Sequence, residues 1–466
     1  MNIYYNLKLE DIKERIDSLS KFYESFRKYF RSKTRDVSSQ GMEYIKGLLL
    51  CEGRRNMNKM SEQVTEINGQ SLSHFISKSP WKEDEIIKEI GKEAVKIFSK
   101  EPGEKSFIID ESGSEKDGKK SVGVSRQYCG SIGKTDNCQV GVYLGYTNGI
   151  ESILIDKRLY LPKSWTENSK RCDEAGIPEE KRTFKTKGDL ALEMFFEAKK
   201  RGLSGEYISM DGFYGQQPEL LNKLEKAEEI YFADIPGDTR VYLDFPEIGV
   251  PPKKGKRGKN PSKNRVLEDT AIEVKELLNT DQLDWQVLKI RDIQGGELWI
   301  NFAALRVYRI YEKLPVEKPV WLLIREDLDG SYIKFTFSNA KDNTPLEVLA
   351  RRQNTRYFVE RAIEDAKGLA GMDEYQVTDW RGWNHHMTMV LITMLFLIEL
   401  KQLLFTKAPM LTLNDIRELL KQMIPKKVLS LQDRLNIIYK KHLNRFRSRL
   451  SRLKNQKKDF RLCFIN

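Results

Sequence analysis

Between residues 105 and 237 the chain alternates short apolar strands with amphipathic helices in an order that few folds accept. FIID (107–110) is a buried-type strand. SVGVSRQYCG (121–130) and QVGVYLGYT (139–147) alternate between glycines, and ILIDKRLYLP (153–162) follows. DLALEMFFEAKKRG (189–202) then has helical spacing that Gly202 stops, and EYISMDGFYG returns to a strand ending at Asp211. A helix (PELLNKLEKAEE) and a strand (IYFADIP) complete the series. A helical crossover lets two strands pair in parallel. Asp110 and Asp211, 211 − 110 = 101 residues apart, are therefore expected near the ends of neighbouring strands.

The flanks read differently. Residues 1–100 are helical in pattern, with almost no Gly/Pro punctuation. Residues 238–350 turn to strands again (TRVYLDF, WQVLKI, ELWINFAALRVYRI, PVWLLIRE, YIKFTF), which reads as a β-rich insertion. Residues 351–405 return to helix, and 406–466 form a basic helical end. The apolar stretch Met387–Leu400 is interrupted by Thr388, Thr393 and Glu399 and is too short to span a bilayer, so it reads as a buried helix. No membrane association is expected.

Lys plus Arg exceed Asp plus Glu by 80 − 68 = 12, which makes nucleic acid the first partner to consider. The five cysteines form no CxxC pair, which argues against a disulfide framework or a zinc ribbon and for a reducing, cytoplasmic setting.

A third acid comes from a helix. RYFVERAIEDAKGLAG (356–371) places Val359, Ala362, Ile363, Ala366 and Ala370 on a core face. At 100° per residue Arg356, Glu360 and Lys367 point within about 40° of one another. A carboxylate flanked by cations on one stripe suits a metal-phosphate site. Asp110, Asp211 and Glu360 form a plausible cage for two Mg2+ ions, with Mn2+ able to substitute. Alone, each acid has a blander reading: a strand-end Asp is more often a turn-former or helix cap, and Glu360 an ordinary surface acid. Glu364 is the rival third acid. Glu111, next to Asp110, should point to the other side of the strand and is read as non-ligating.

These residues resemble a bacterial insertion-sequence DDE transposase, of the branch with a β insertion in a ribonuclease H-like core. The resemblance runs from about residue 40 to 400 through FIIDESG, RQYCGSIGKTDNCQVGVYL, MDGFYG, PVWLLIRE, RYFVERAIEDAKGLAGMDEYQV and DWRGWNHHMTM. The branch signature Tyr-x2-Arg-x3-Glu-x6-Lys matches as Arg356, Glu360 and Lys367, with Gln353 where the tyrosine stands. The resemblance implies an α/β ribonuclease H-like fold and metal binding by the three acids. It implies a grip on the cleaved end by Arg356 and Lys367, and stacking of Trp321 on a flipped base. The implied activity is cutting of transposon-end DNA and joining of its 3′-hydroxyl to target DNA. The implied partners are those DNAs and a second copy in a paired-end homodimer, in a bacterial cytoplasm at the nucleoid. A domesticated relative that binds DNA without cutting it is the alternative. A glycosidase using two carboxylates is a more distant one, disfavoured by the basic runs.

Three further features carry two readings each. PPKKGKRGKNPSKNR (251–265), with Lys253, Lys254, Lys256 and Arg257, is either a DNA-contacting loop or a solvated one. Leu431, Leu435, Ile438, His442, Phe446, Leu450 and Leu453 share one stripe of a basic helix, for dimerisation or for packing. RRNMNKMSEQV and INGQSLSHFI suggest two helices around a turn, either end-reading or part of a plain bundle. His385 and His386 read as core or capping groups rather than metal ligands.

Overall fold

The computed structural model describes residues 6–13, 17–31, 35–100, 102–252, 261–293, 296–425 and 427–455. It is a mixed α/β protein. Seven of its strands form the frame of the site: β1 (Ser106–Glu115), β2 (Lys134–Thr147), β3 (Ser152–Leu159), β4 (Ile208–Met210), β5 (Tyr231–Ile235), β6 (Gly296–Tyr311) and β7 (Val320–Asp327). An eighth, β8 (Ile333–Ser338), completes it.

Their order across the sheet is β6-β7-β8-β5-β4-β1-β2, with β3 paired to β2. β1, β4 and β5 run parallel, and every other neighbouring pair in this path is antiparallel. The parallel pairing of β1 with β4 needs a crossover, and helix α3 (Lys187–Lys200) supplies it. Thr186 and Asp189 close a capping box at its start, and Gly202 stops the chain just beyond it at φ +89°, as the sequence suggested. Segment 238–350 contributes β6, β7 and β8 to this same sheet, because β8 pairs with β5. The expected insertion is thus a lateral extension of the sheet that carries the site.

Alternation along β1 assigns the faces. The Phe107 ring meets Phe195 of α3 at 5.2 Å, and Glu111, on the same side, accepts a hydrogen bond from Lys187 at 2.7 Å. Asp110 points the other way, toward helix α5 (Tyr357–Ala370), which lies against β1 and β3. Helix α4 (Leu346–Gln353) leads into α5 through a tight turn at Asn354–Arg356. Gly371, at φ +63°, ends α5 in the left-handed conformation that favours glycine.

The helical part packs around α6 (Trp380–Leu404). This helix is long and apolar enough to cross a membrane, but 78 % of its apolar window is buried. Helices α1 (Ser38–Leu50) and α2 (Glu83–Ser99) pack against it, as does β3, so it is a core helix here. His385 and His386 are buried on it, as the bland reading expected. His385 stacks on Trp81 at 3.6 Å, and His386 shares a hydrogen bond with the Tyr44 hydroxyl at 2.8 Å. Burial first of all lowers the His386 pKa to about 4, so this histidine is a neutral hydrogen-bonding group.

The two N-terminal helices expected around a turn are Met57–Gln63 and Gly69–Ser77, capped by Asn56 and Asn68. The last described helix, α8 (Leu431–Asn455), follows α7 (Leu413–Met423). Its stripe residues Leu431, Leu435, Ile438 and Phe446 stand exposed, while Leu450 and Leu453 are half-buried, so most of the stripe is left uncovered by this chain. The basic loop residues Lys253, Lys254, Lys256 and Arg257 lie outside the described residues.

Candidate active site

Strand register brings three aspartates into one row. Ile109 pairs with Met210, and Met210 with Ala233, so the next residues, Asp110, Asp211 and Asp234, follow in line on three parallel strands. Carboxyl ends of parallel strands are where open α/β sheets place their sites. Two of these acids were legible in the sequence. Asp234 was missed, because nothing in IYFADIP tells an acid that faces the site from one that ends a strand.

Each acid is fixed differently. Asp211 is, as its bland reading held, a helix cap: its Oδ1 accepts from the backbone N–H groups of Phe213 and Tyr214 at 3.0 and 3.3 Å. That role orients the carboxylate without removing it from the row. The turn it caps is held tightly to Asp234, since a Cβ on Gly215 would lie 1.9 Å from the Asp234 carbonyl oxygen. The closing glycine of MDGFYG is thus a close-approach residue. Asp110 accepts from the Glu111 backbone N–H at 2.8 Å.

Glu360 arrives from α5 with Arg356 one turn before it. The Arg356 guanidinium lies among four acids: Nη2 is 2.5 Å from Glu360, Nη1 is 3.6 Å from Asp110, and Nε is 3.0 Å from Asp234. Asp211 adds to the same field. Burial works against the charge on Arg356, but the carboxylates of Asp234, Glu360, Asp110 and Asp211 outweigh it and hold its pKa above the usual guanidinium value. Glu364 is exposed and makes no ion pair among the described residues, so the geometry separates it from Glu360. Lys367 lies on the Glu360 side of the helix, as the spacing required.

The acids do not form a ready-made cage. Among the described residues no group of three or more His, Cys, Asp or Glu side chains is poised around one point. Arg356 provides the positive charge at their centre. The donor set nevertheless fits a hard divalent cation: carboxylate oxygens only, on a rigid sheet and one helix. Burial, then the charge of Asp211, pushes the Asp110 pKa up to about 7. Burial, then the charge of Glu111, pushes Asp211 up to about 6. Two acids that ionise with difficulty side by side mark a place short of positive charge.

These shifts have a sign that can be tested. A carboxyl whose pKa is raised on folding contributes stability that is fully present below its unfolded value, near 3.8, and lost as pH rises through its folded value. With EDTA present, Asp110→Asn should therefore stabilise the protein at pH 8, by on the order of 2 kcal/mol, and by clearly less at pH 5, where only part of the ionisation penalty has developed. Thermal melts at the two pH values check this. An equal change at both would show that the Asp110 charge is not strained in the fold.

The remaining expected residues are spread out. Trp321 is the second residue of β7, two residues before Leu323, which pairs with Thr336, itself paired with Asp234. It is on the order of 15 Å from Asp211, from about 4.8 Å per strand and 3.3 Å per residue. Arg306 lies over its ring at 5.0 Å, and its indole N–H donates to the Lys341 carbonyl at 3.3 Å. Gln353, at the tyrosine position of the signature, is 2 % exposed and points into the protein. A phosphate contact from that position is therefore excluded by burial.

Residues 21–296 match the family described as DDE superfamily endonuclease. The matched span includes Asp110, Asp211 and Asp234 and stops before Glu360. The chain is also 26 % identical, over 368 residues, to a probable transposase for insertion sequence element IS701 from Microchaete diplosiphon. That alignment covers 77 % of this chain and 83 % of the relative. Among solved structures, the piggyBac transposase synaptic complex with hairpin DNA aligns with 91 % of this chain and 80 % of its own, at 12 % identity and a TM-score of 0.40. The NurA nuclease from Sulfolobus solfataricus aligns with 58 % of this chain and 79 % of its own, at 10 % identity and a TM-score of 0.22.

Proposed function

The chain belongs to the DDE superfamily endonucleases, and on that premise we propose that Asp110, Asp211 and Glu360 form the centre with which it cuts and rejoins DNA. It is a DDE transposase of the insertion-sequence kind. The observation that carries the site assignment is the row of aspartates across three parallel strands, just beyond their last parallel pairs, with Arg356 joining it to Glu360. The strand order and the α3 crossover support a ribonuclease H-like core extended sideways by the 238–350 strands.

In this reading Asp110, Asp211 and Glu360 hold two Mg2+ ions, with Mn2+ able to replace them. When bound, the metal lowers the cost of forming an oxygen nucleophile and neutralises charge on the phosphate and the leaving oxygen. The protein's own part is positioning. Arg356 and Lys367 grip phosphate oxygens of the transposon end, and the rigid row fixes the acids in line with the scissile phosphate. Hydrolysis frees a 3′-hydroxyl, which then attacks target DNA. Trp321 is proposed to stack on a flipped base near the cut. Pairing two ends requires two copies, so a homodimer on DNA in a bacterial cytoplasm, at the nucleoid, completes the proposal.

The test is cleavage of a labelled duplex carrying the element's own end, with Mg2+ or Mn2+ against EDTA. Cutting is expected only with metal, while binding survives EDTA. Tight binding without cutting under any metal would instead identify a DNA-binding relative.

A further inference from the structure

The acid row has a fourth member that the cleavage reading does not use. Asp234 is 9 % exposed, and both of its oxygens are committed. Oδ1 accepts from the Thr336 hydroxyl at 2.7 Å, and Oδ2 accepts from Lys334 at 3.0 Å. Oδ2 is also 3.0 Å from Arg356 Nε. That N–H is not aimed at the oxygen and lacks a directed hydrogen bond, so Asp234 holds the guanidinium by an ion pair.

Behind Asp234 the chain of contacts continues into the core. Gln353 Nε2 donates to the Thr336 hydroxyl at 3.0 Å, while that hydroxyl donates onward to Asp234. Gln353 and Arg356 are therefore joined twice: through the backbone of one tight turn, and through Thr336 and Asp234. The turn between them is pinned from outside, Thr355 by the Tyr207 hydroxyl at 2.7 Å and Asn354 by Arg325 at 2.5 Å.

We propose that Gln353, Thr336 and Asp234 form a buried positioning relay that fixes the Arg356 guanidinium between Asp110 and Glu360. Asp234 is a positioning residue with its oxygens taken, rather than a fourth metal ligand. The relay gives the buried amide of Gln353 a role: it holds the arginine from behind. Groups that orient a site's charged side chains through hydrogen bonds typically matter about 10–100-fold.

The inference rests on the reading of Arg356 as a phosphate-gripping residue of the cleavage site, so its test has two arms. In the first, cleavage rates are measured for Asp234→Asn, Arg356→Gln and the double variant. Asp234→Asn should lower kcat about 10–100-fold with KM for the end duplex changed far less. The double variant should be no slower than Arg356→Gln alone, because the relay acts only through that arginine. Multiplicative losses, or an unchanged kcat in Asp234→Asn, would overturn the proposal. Gln353→Leu and Thr336→Val, further along the relay, take its place in the cycle if Asp234→Asn does not fold.

The second arm needs no cleavage. Rotation about the Arg356 Nε–Cζ bond, followed by arginine side-chain NMR and assigned through Arg356→Gln, should be slow in the wild type. It should speed up in Asp234→Asn and, by less, in Gln353→Leu. Rotation unchanged in both variants overturns the relay even if the enzyme cuts DNA. Faster rotation in a protein that never cuts DNA upholds the relay and overturns the cleavage reading instead.

Discussion

Glu360→Gln should abolish cutting of a transposon-end duplex, by 10³-fold or more on the order-of-magnitude scale of lost transition-state charge stabilisation, while Glu364→Gln cuts nearly as the wild type does. The pair is informative because both acids lie on the exposed side of α5, one turn apart. Only Glu360 is bound to Arg356, at 2.5 Å, and through it to Asp110 and Asp234. Asp110→Asn and Asp211→Asn should match Glu360→Gln. All three should keep end binding, since that draws on phosphate contacts spread over a much larger surface. Gel-shift and cleavage assays on the same preparations check both halves. Full cutting by Glu360→Gln together with loss in Glu364→Gln would move the third acid by one turn and with it the phosphate grip assigned to Arg356.

Arg55→Met should destabilise the whole protein by about 3 kcal/mol, the range for breaking a buried charged network from one side. Arg55 sits in the RRNMNKM stretch, where a sequence reading looks for DNA contacts, yet the side chain is 5 % exposed. Its Nε donates to the Leu48 carbonyl and its Nη2 to the Gly368 carbonyl, both at 2.8 Å, and Nη1 reaches Glu374 at 3.1 Å. One guanidinium thus ties the end of α1 to the last turn of α5, the helix that carries Glu360. Methionine fills the space but leaves two carbonyls without their donor and Glu374 with only the backbone N–H of residue 55. Lysine should not rescue it, because a single ammonium cannot face three acceptors in a fork. Urea unfolding of Arg55→Met, Arg55→Lys and Glu374→Gln checks this, with Glu374→Gln expected to cost least. A stable Arg55→Met protein that binds DNA poorly would return Arg55 to the DNA interface.

The Glu111 case shows how far a local rule reaches. Alternation along β1 placed it on the face away from Asp110, and it does meet Lys187 of α3 there. Yet its charge still raises the Asp211 pKa, because Asp211 stands just past the end of β4 and feels both faces of the sheet. Side-chain direction was a property of one strand, whereas the field at Asp211 depends on where a second strand stops.

The same division runs through the molecule. Asp110 at the end of an apolar run, Asp211 before a capped turn, and the Arg356–Glu360–Lys367 stripe all follow from periods of two or 3.6 residues, which a sequence displays directly. The buried character of α6 follows likewise from its composition. Tertiary structure alone decided that Asp234 joins the row, since this depends on the register of β4 with β5. It alone decided that Thr336 and Lys334 reach the row from a segment that reads as a separate insertion, since this depends on β8 pairing with β5. It also turned Gln353 inward and Arg55 into the core, and left the Leu431, Leu435 and Ile438 stripe uncovered. Strand pairing and helix docking join residues about a hundred positions apart, and no local period records which partner the chain will choose.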